Sequence, residues 1–453
     1  MSGVRFKLSV MMFLEIFIWG AWLPQIFGYL PAMGFEDSWQ PPLILGAFPL
    51  AALVGLFFSN QFADRNFAAE KFLAFSHLVG GVAMLALFWV HKPEGATQAS
   101  FPLFFGLMLI HSLFYVPTLS ITNAIAFANL RDPQKEFGPV RLWGTIGWIA
   151  ASLPFIFILL DWNKMPPLGD GLGDWFAAAF TPANAKSGAA LIEGRSFMFI
   201  VSGAASLLLA AFSLTLPHTP PRPAAAGENS LAWLEAVGLL AKPFVLVLFV
   251  VTFIDAAVHQ YYFFWTERYL GSAPSELVNT GVGIASNWVL PVMSIGQIAE
   301  IGTLAVLGFV LSKIGLRMTM IIGILGHAAR FAIFAFFPDP KYAILVNLLH
   351  GICYAFFFAT VYIFIDEYFP KDIRSSAQGL FNALILGVGP FVSNFISGYV
   401  GAQAKISEGV FDYQRIFLVP CFGALIAATL LLLLFHPPRP ANVPALAPAP
   451  GHG

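Results

Sequence analysis

The chain alternates long apolar runs with short polar segments over most of its 453 residues. Each apolar run is about 20 residues long, and at about 1.5 Å of rise per residue a helix of that length crosses the roughly 30 Å hydrocarbon core of a bilayer. The runs are centred near residues 19, 50, 81, 112, 150, 206, 255, 298, 326, 353, 386 and 425. This pattern predicts an all-α integral membrane protein with twelve transmembrane helices.

Two longer polar segments divide this pattern. Residues 161–195 contain several Asp, Gly and Pro residues, which predicts an extended external loop between the fifth and sixth spans. Residues 217–242 begin with a Pro-rich stretch and predict a cytoplasmic linker between two halves. We therefore expect a six-helix N-terminal half at 1–216, a six-helix C-terminal half at 243–436 and a disordered cytoplasmic tail at 437–453.

Short loops recur at matching places in the two halves. Residues 60–65 follow the second span and residues 308–317 follow the eighth, while residues 131–136 and 369–374 follow the fourth and the tenth. The segment 308–317 resembles the short loop motif of the major facilitator superfamily, in which glycine permits close helix approach and basic residues hold the loop at the cytoplasmic face. Such repetition is typical of transporters built from two related halves.

Composition and charge exclude other classes of protein. Hydrophobic residues make up 58% of the chain, charged residues only 10%, and mean hydropathy is +0.77. A soluble globular protein, with about 25% charged residues, is therefore excluded. With the N-terminus inside, 14 of the 23 Lys and Arg residues lie on the cytoplasmic side and eight on the other, with Arg330 inside a span. We expect both termini to face the cytoplasm, and the chain to be a monomer in a lipid bilayer.

Three carboxylates within apolar runs are candidates for proton coupling: Glu15, Asp255 and Glu300. A charge at the middle of a membrane helix costs roughly 2.5–3.5 kcal/mol even on the mildest scale, so such a residue suggests a functional site. A carboxyl group at this depth can take up a proton from one side of the membrane and release it to the other. The alternative for each is a structural role, in which the acid only bonds a neighbouring helix.

Polar side chains at helical spacing predict the walls of a substrate site. Arg141, Thr145 and Trp148 in span five are spaced i, i+4, i+7 and share one helix face. Gln260 and Phe263 share a face of span seven. Hydroxyl groups such as that of Thr145 also bridge helices in membrane bundles, for about 0.6 kcal/mol on average, so a lone threonine is not by itself a ligand contact.

Spans seven and ten contain further polar faces. Asp255, His259 and Tyr262 lie on one face of span seven, and His350 and Tyr354 share a face of span ten. His350 is a titratable candidate for the substrate site, and Tyr354 offers an aromatic ring. In span one, Trp19 and Trp22 are typical of aromatic anchors at the membrane interface.

Several segments together resemble the bacterial nucleoside:proton symporters of the major facilitator superfamily. They are Tyr115–Thr118, Arg141–Gly147, Gln297–Glu300, Ile373–Gly379 and Trp19–Trp22, in the family's order along nearly the whole chain. The resemblance implies that a nucleoside contacts Arg141, Thr145, Gln260, Gln297 and Glu300, with Trp148 at an aromatic position of the pocket. A nucleoside has no phosphate, and we expect no cofactor, no metal and no nucleic-acid partner.

One departure from the family concerns span ten, where the family can carry an Asp after the aromatic residue and this chain has Ala355 after Tyr354. Proton coupling then depends on Glu15, Asp255 or Glu300, or the protein is a facilitator, or its substrate differs. A transporter of a sugar or another polar metabolite and a transporter-like receptor are the alternatives. An enzyme is the weakest candidate, because the sequence contains no ATP-binding motif, metal-ligand spacing or nucleophile elbow.

Overall fold

The computed structural model describes residues 3–35, 39–55, 66–221, 237–369 and 374–437, and these are almost entirely helical. Several expectations fall wholly or partly outside this range. They concern the loops at 60–65 and 369–374, the first residue of the segment 373–379, the linker segment 222–236 and the tail from residue 438 onward.

Four of the eight described N-terminal helices begin with a proline in their first turn. The eight are α1 (Gly3–Tyr29), α2 (Gln40–Val54), α3 (Ala69–Leu87), α4 (Phe101–Asn129), α5 (Pro133–Ala150), α6 (Leu153–Ile158), α7 (Leu172–Ala179) and α8 (Gly188–Ser213). At the start of α5, the carboxylate of Asp132 accepts a hydrogen bond from the backbone N–H of Lys135. The following Pro133 has no N–H to leave unpaired, so this sequence starts a helix at low cost.

The C-terminal helices contain two local departures from α geometry. The elements are α9 (Pro243–Gly271), α10 (Val289–Phe336), α11 (Pro340–Tyr368), α12 (Ser376–Ala404), the short hairpin strands β1 (Lys405–Ser407) and β2 (Val410–Phe411), and α13 (Tyr413–Leu434). A π-helical turn occupies Tyr354–Ala359 of α11 and another occupies Ala383–Val388 of α12. Such turns are frequent at functional sites.

The apolar helices correspond to the predicted spans. Among the described residues, ten helices are long and apolar enough to cross a membrane, and α2 is a shorter apolar helix. The 48-residue α10 contains two predicted spans, because Gly315 has φ 74° and ψ 170° and breaks the helix between them. Only glycine adopts this backbone conformation readily. The prediction of an all-α membrane protein is confirmed.

The helices pack mainly within an N-terminal and a C-terminal set. In the first, α1 packs against α5 and α8, and α3 against α4 and α8; in the second, α9 packs against α12 and α13, and α10 against α11 and α13. Contacts between the sets are made by α1 with α9, α2 with α12, and α5 with α10. The residues predicted for the substrate site lie mostly on helices of these last pairs.

Glycine permits the close approach of α1 to α5. A Cβ placed on Gly147 would lie 2.2 Å from the carbonyl oxygen of Phe13, and one placed on Gly20 would lie 3.2 Å from Trp148 Cα. Small residues at such crossings let two helix backbones touch in a membrane, where apolar burial does not distinguish protein from lipid. The position of α5, and of the polar face it carries, therefore depends on these glycines.

Two local expectations are wrong. The external loop is shorter than residues 161–195, because α8 already begins at Gly188 and Arg195 lies within the helix. Its charge is satisfied there by Glu267 of α9, so a polar residue does not end the helix. Trp22 is no interfacial anchor: it is 1% exposed and packs edge-on against His111 in the interior.

Candidate functional site

A small cavity lies where the N-terminal and C-terminal helices meet. Its lining comes from α1, α5, α9 and α10 and from the residue that precedes α6, and consists of Gly20, Pro24, Trp148, Ser152, Tyr262, Phe263, Leu290, Met293, Ser294 and Gln297. Three predicted site residues, Trp148, Phe263 and Gln297, are therefore brought together from three different helices.

Aromatic rings form one wall of this cavity. The Trp148 and Phe263 rings meet across the two sets of helices with centroids 6.0 Å apart and planes at 67°. Trp148 also contacts Trp19 edge-on at 5.5 Å, and Trp19 stacks on Phe48 at 4.8 Å. Because each ring is braced by another, Trp148 is held as a fixed apolar surface that a flat ligand can pack against.

Two oppositely charged side chains, Arg141 of α5 and Glu300 of α10, lie close enough to interact across the contact between these helices. Arg141 and Glu300 interact electrostatically, both act on Tyr354 of α11, and all three side chains are half-buried. Glycine makes room here as well, because a Cβ on Gly351 would lie 2.5 Å from the backbone nitrogen of Glu300. A cation from one set of helices therefore faces an anion from the other. Thr145, one turn along α5 from Arg141, is half-buried on the same face.

Two amides belong to the same region. Gln260 Nε2 donates a hydrogen bond to Asn394 Oδ1 of α12 at 3.0 Å, and Asn394 is fully buried. Gln297 is 7% exposed at the cavity, and its Nε2 lies 3.3 Å from Nε2 of His350. His350, predicted as a substrate contact, is 2% exposed and lies behind Gln297.

The hydrogen bonds behind Gln297 determine which way its amide points. Arg330 is fully buried, lies over the Tyr262 ring at 3.9 Å and has Nη1 2.7 Å from His350 Nδ1. Arginine only donates, so Nδ1 accepts and the histidine proton resides on Nε2. Two N–H donors would then face each other, so we assign the Gln297 amide in its flipped orientation, with Oε1 accepting from His350 Nε2 and the NH₂ toward the cavity.

The other two proton-coupling candidates lie in separate buried clusters. Glu15 bonds His77 Nε2 at 2.8 Å and Thr118 Oγ1 at 2.7 Å among the N-terminal helices. Asp255 bonds His327 Nδ1 at 3.0 Å among the C-terminal helices. Both acids are no more than 1% exposed. Glu300, by contrast, lies on α10 where the two sets of helices meet, and it interacts there with Arg141.

Sequence reasoning missed three residues of these clusters: His77, His327 and Asn394. His77 and His327 are isolated histidines in apolar runs. Burying a group that can become charged costs free energy, so an imidazole in such a run is a signal of the same kind as the buried acids. Asn394 lies among small residues and had no helical-spacing partner to draw attention to it.

Comparison with known proteins gives a consistent result. The family model described as "Nucleoside H+ symporter" matches residues 2–168 and 171–440. The putative nucleoside transporter YegT of Escherichia coli K12 is 30% identical over 95% of this chain and 93% of its own length. The xanthosine permease of the same organism is 25% identical over 96% of each chain.

Solved structures show the same fold. The crystal structure of the nucleoside transporter NupG superposes with a TM-score of 0.76 and 23% identity, over 96% of this chain and 99% of that one. A bacterial homologue of the human lysosomal transporter Spinster superposes with a TM-score of 0.67 and 14% identity, over 96% and 98% of the two chains. The expected major facilitator architecture is thereby confirmed.

Proposed function

This chain belongs to the nucleoside H⁺ symporter family, and we propose that it carries nucleosides together with protons into a bacterial cell across the cytoplasmic membrane. Transport proceeds by alternating access, in which the two sets of helices open a shared central site first to one side and then to the other. The family is one of transporters, so the chain's work is to bind and release its substrate unchanged.

The observation that carries this proposal is the meeting of Arg141 and Glu300. One comes from α5 and the other from α10, and they act on each other beside a cavity lined by Trp148 and Gln297. A ligand that binds Arg141 and Glu300 together touches the two sets of helices at once. Its binding energy can then favour one arrangement of the sets over another, which is the requirement for coupling occupancy to movement.

The chemistry of the site suits a nucleoside. Ribose hydroxyls and base N–H groups donate to the Glu300 carboxylate, while base carbonyl and ring nitrogen atoms accept from Arg141 and from the Gln297 amide. The flat base packs against the Trp148 ring, with Phe263 at its edge. Thr145, Gln260 and Tyr354 complete the predicted contacts, and His350 supports Gln297 from behind.

We further propose an orientation with both termini in the cytoplasm. The excess of Lys and Arg in the segments assigned to the cytoplasmic side supports it. In this orientation residues 1–216 and 243–436 are the two transporting halves, 217–242 is their cytoplasmic linker and 437–453 is a cytoplasmic tail. The monomer is the transporting unit, since each chain contains both faces of the site.

The decisive experiment is uptake of radiolabelled uridine, adenosine and xanthosine by proteoliposomes, with and without an inward proton gradient. We expect saturable uptake of at least one nucleoside, stimulated by the gradient. Absence of uptake above empty liposomes for all three would overturn the proposal. Counterflow exchange without stimulation by the gradient would instead identify a facilitator.

Glu300→Gln tests the site itself. The amide retains the size of the carboxylate but removes the charge that faces Arg141, so binding and uptake fall while the protein stays folded. Glu276→Gln is the matched control, since Glu276 is exposed in the segment after α9. Full activity of the Glu300→Gln variant would make Glu300 a structural acid.

A further inference from the structure

Each set of helices contains a buried acid on its first helix paired with a histidine on its third span. In the N-terminal set the pair is Glu15 of α1 and His77 of α3; in the C-terminal set it is Asp255 of α9 and His327 in the second limb of α10. The four side chains are no more than 1% exposed. The duplication that relates the two halves has therefore placed the same type of pair twice, and the two copies differ in what surrounds them.

The N-terminal pair is closed. The Ser206 hydroxyl donates to the carbonyl oxygen of His77 at 3.0 Å, so it accepts from His77 Nδ1, also at 3.0 Å. Nε2 of the same ring is hydrogen-bonded to Glu15 at 2.8 Å, and the other oxygen of Glu15 accepts from Thr118. Both ring nitrogens of His77 and both carboxyl oxygens of Glu15 therefore have hydrogen-bond partners.

The C-terminal pair is open at both ends. Oδ2 of Asp255 has no hydrogen-bond partner among the described residues, whereas Oδ1 accepts from His327 Nδ1. His327 Nε2 lies 3.4 Å from Nδ1 of a third residue, His259. With both rings neutral and His327 Nδ1 donating to Asp255, His327 Nε2 accepts from His259 Nδ1, and the free lone pair lies on His259 Nε2.

The free end of this chain is next to the substrate site. His259 is the most exposed of the three residues, being half-buried. Its ring contacts Phe263, which lines the cavity, at 5.5 Å and Tyr354 at 6.3 Å. The buried end, Asp255, is an acid with one unpaired oxygen, which is costly while it is charged and less so once protonated.

Among the described residues, Arg330 makes no ion pair with Asp255. Its Nη1 donates to His350 Nδ1, and its guanidinium group lies over the Tyr262 ring. The other titratable and charged groups around His259 and Asp255 are Tyr262 on α9, His327 and Arg330 on α10, and His350, Cys353 and Tyr354 on α11. Of these described residues, Asp255 is the only one with a carboxyl group.

We propose that Asp255, His327 and His259 together form the proton-carrying site of this transporter, with His259 Nε2 as the atom that meets the proton at the substrate cavity. A proton binds Nε2 of His259, the proton on its Nδ1 passes to Nε2 of His327, and the proton on Nδ1 of His327 passes to Asp255. One proton enters and one carboxyl group becomes neutral; release is the reverse. This inference rests on the proposed proton-coupled transport.

The test separates proton coupling from substrate transport. Asp255→Asn, His327→Gln and His259→Gln are each reconstituted in liposomes. Three quantities are measured. Uridine uptake is followed with and without an inward proton gradient, and counterflow exchange is followed at equal pH. Internal acidification is followed with a pH-sensitive dye. We expect each variant to lose stimulation by the gradient and substrate-driven acidification, and to retain counterflow, since the site that binds nucleoside is intact.

Glu15→Gln is the matched control, because it removes the equivalent buried acid of the closed pair. It is expected to retain stimulation by the gradient. Retained stimulation and acidification in Asp255→Asn, or loss of coupling in Glu15→Gln instead, would overturn the inference. Thermal unfolding in detergent checks folding; should Asp255→Asn not fold, the more exposed His259→Gln decides. Absence of counterflow in the wild type would instead refute nucleoside transport itself.

Discussion

The ion pair between Arg195 and Glu267 holds one end of the helix bundle closed. We predict that breaking this pair makes the cavity more accessible from that end. Arg195 of α8 pairs with Glu267 of α9, and Arg195 Nη1 also donates to the carbonyl oxygen of Gly28. Next to it, Arg268 Nε donates to the carbonyl oxygen of Phe27 at 2.6 Å. In the proposed orientation these contacts join the external ends of α1, α8 and α9.

The external segment between α6 and α8 adds to this closure. Further contacts come from the residues just before α10. The side-chain amide of Asn287 donates to the carbonyl oxygen of Ala179 at 3.1 Å. Nε1 of Trp288 donates to the same oxygen at 2.8 Å, and its ring stacks on Phe180 at 4.0 Å. The arrangement therefore has the cavity closed toward the outside.

Glu267→Gln removes the anion and leaves Arg195 without it. The side chains are 13% and 4% exposed for Arg195 and Glu267. Removing one partner of a buried pair costs about 3–5 kcal/mol. Because Arg195 retains its bond to Gly28 and some exposure, we take the lower end, about 3 kcal/mol. At about 1.4 kcal/mol for each tenfold change, the equilibrium shifts roughly 100-fold toward the externally open arrangement.

The assay is labelling of a cysteine in the cavity by a membrane-impermeant thiol reagent added from outside. Ser294→Cys supplies the target, since Ser294 lines the cavity, and the native Cys353 and Cys421 are buried. The labelling rate should rise by up to that factor when Glu267→Gln is added to Ser294→Cys. An unchanged rate would refute the reasoning. Glu276→Gln in the same background, an exposed change nearby, is expected to leave the rate as it was.

Two further variants test the supports of the site. Gly147→Ala places a methyl group 2.2 Å from the carbonyl oxygen of Phe13, so α1 and α5 must separate; we expect a lower unfolding temperature in detergent, and an unchanged one would show that the helices can adjust. Arg330→Lys removes the planar donor that fixes His350, and Gln297 is then expected to lose one hydrogen bond to the substrate. Such a bond contributes about 0.5–1.5 kcal/mol, so KM for nucleoside should rise roughly 3- to 10-fold with little change in maximal rate. An unchanged KM would contradict the orientation of the amide.

The helices were predictable because a bilayer demands long apolar runs, and these are visible without tertiary information. The faces of single helices were predictable for the same reason: Arg141 and Trp148 lie on the side of α5 that meets the C-terminal helices. Arg195 shows the limit. Its charge within a polar stretch predicts a loop. Its position inside a helix is stabilised by Glu267 of α9, a partner that the sequence alone does not reveal.

Contacts between helices could not be deduced from spacing. The pairing of Arg141 with Glu300 joins residues 159 positions apart, and the resemblance to a family, not periodicity, brought them together before the fold was known. Spacing also could not show how His350 is placed: it stays a predicted substrate-site residue, and the structure puts it behind Gln297. Its 2% exposure and its bond to Arg330 depend on how α10 and α11 cross.

The charges around Glu300 bear on which acid carries the proton. Arg141 remains protonated throughout the cycle. Were Glu300 to become neutral in each cycle, this half-buried cation would repeatedly lose the anion that faces it, at the surface along which the two sets of helices must move. Protonation of Asp255 has no such consequence, because its partner His327 can exchange a proton with His259. A separate proton site leaves Glu300 free to hold the substrate, and it accounts for a transporter that has Ala355 where the family can carry an acid.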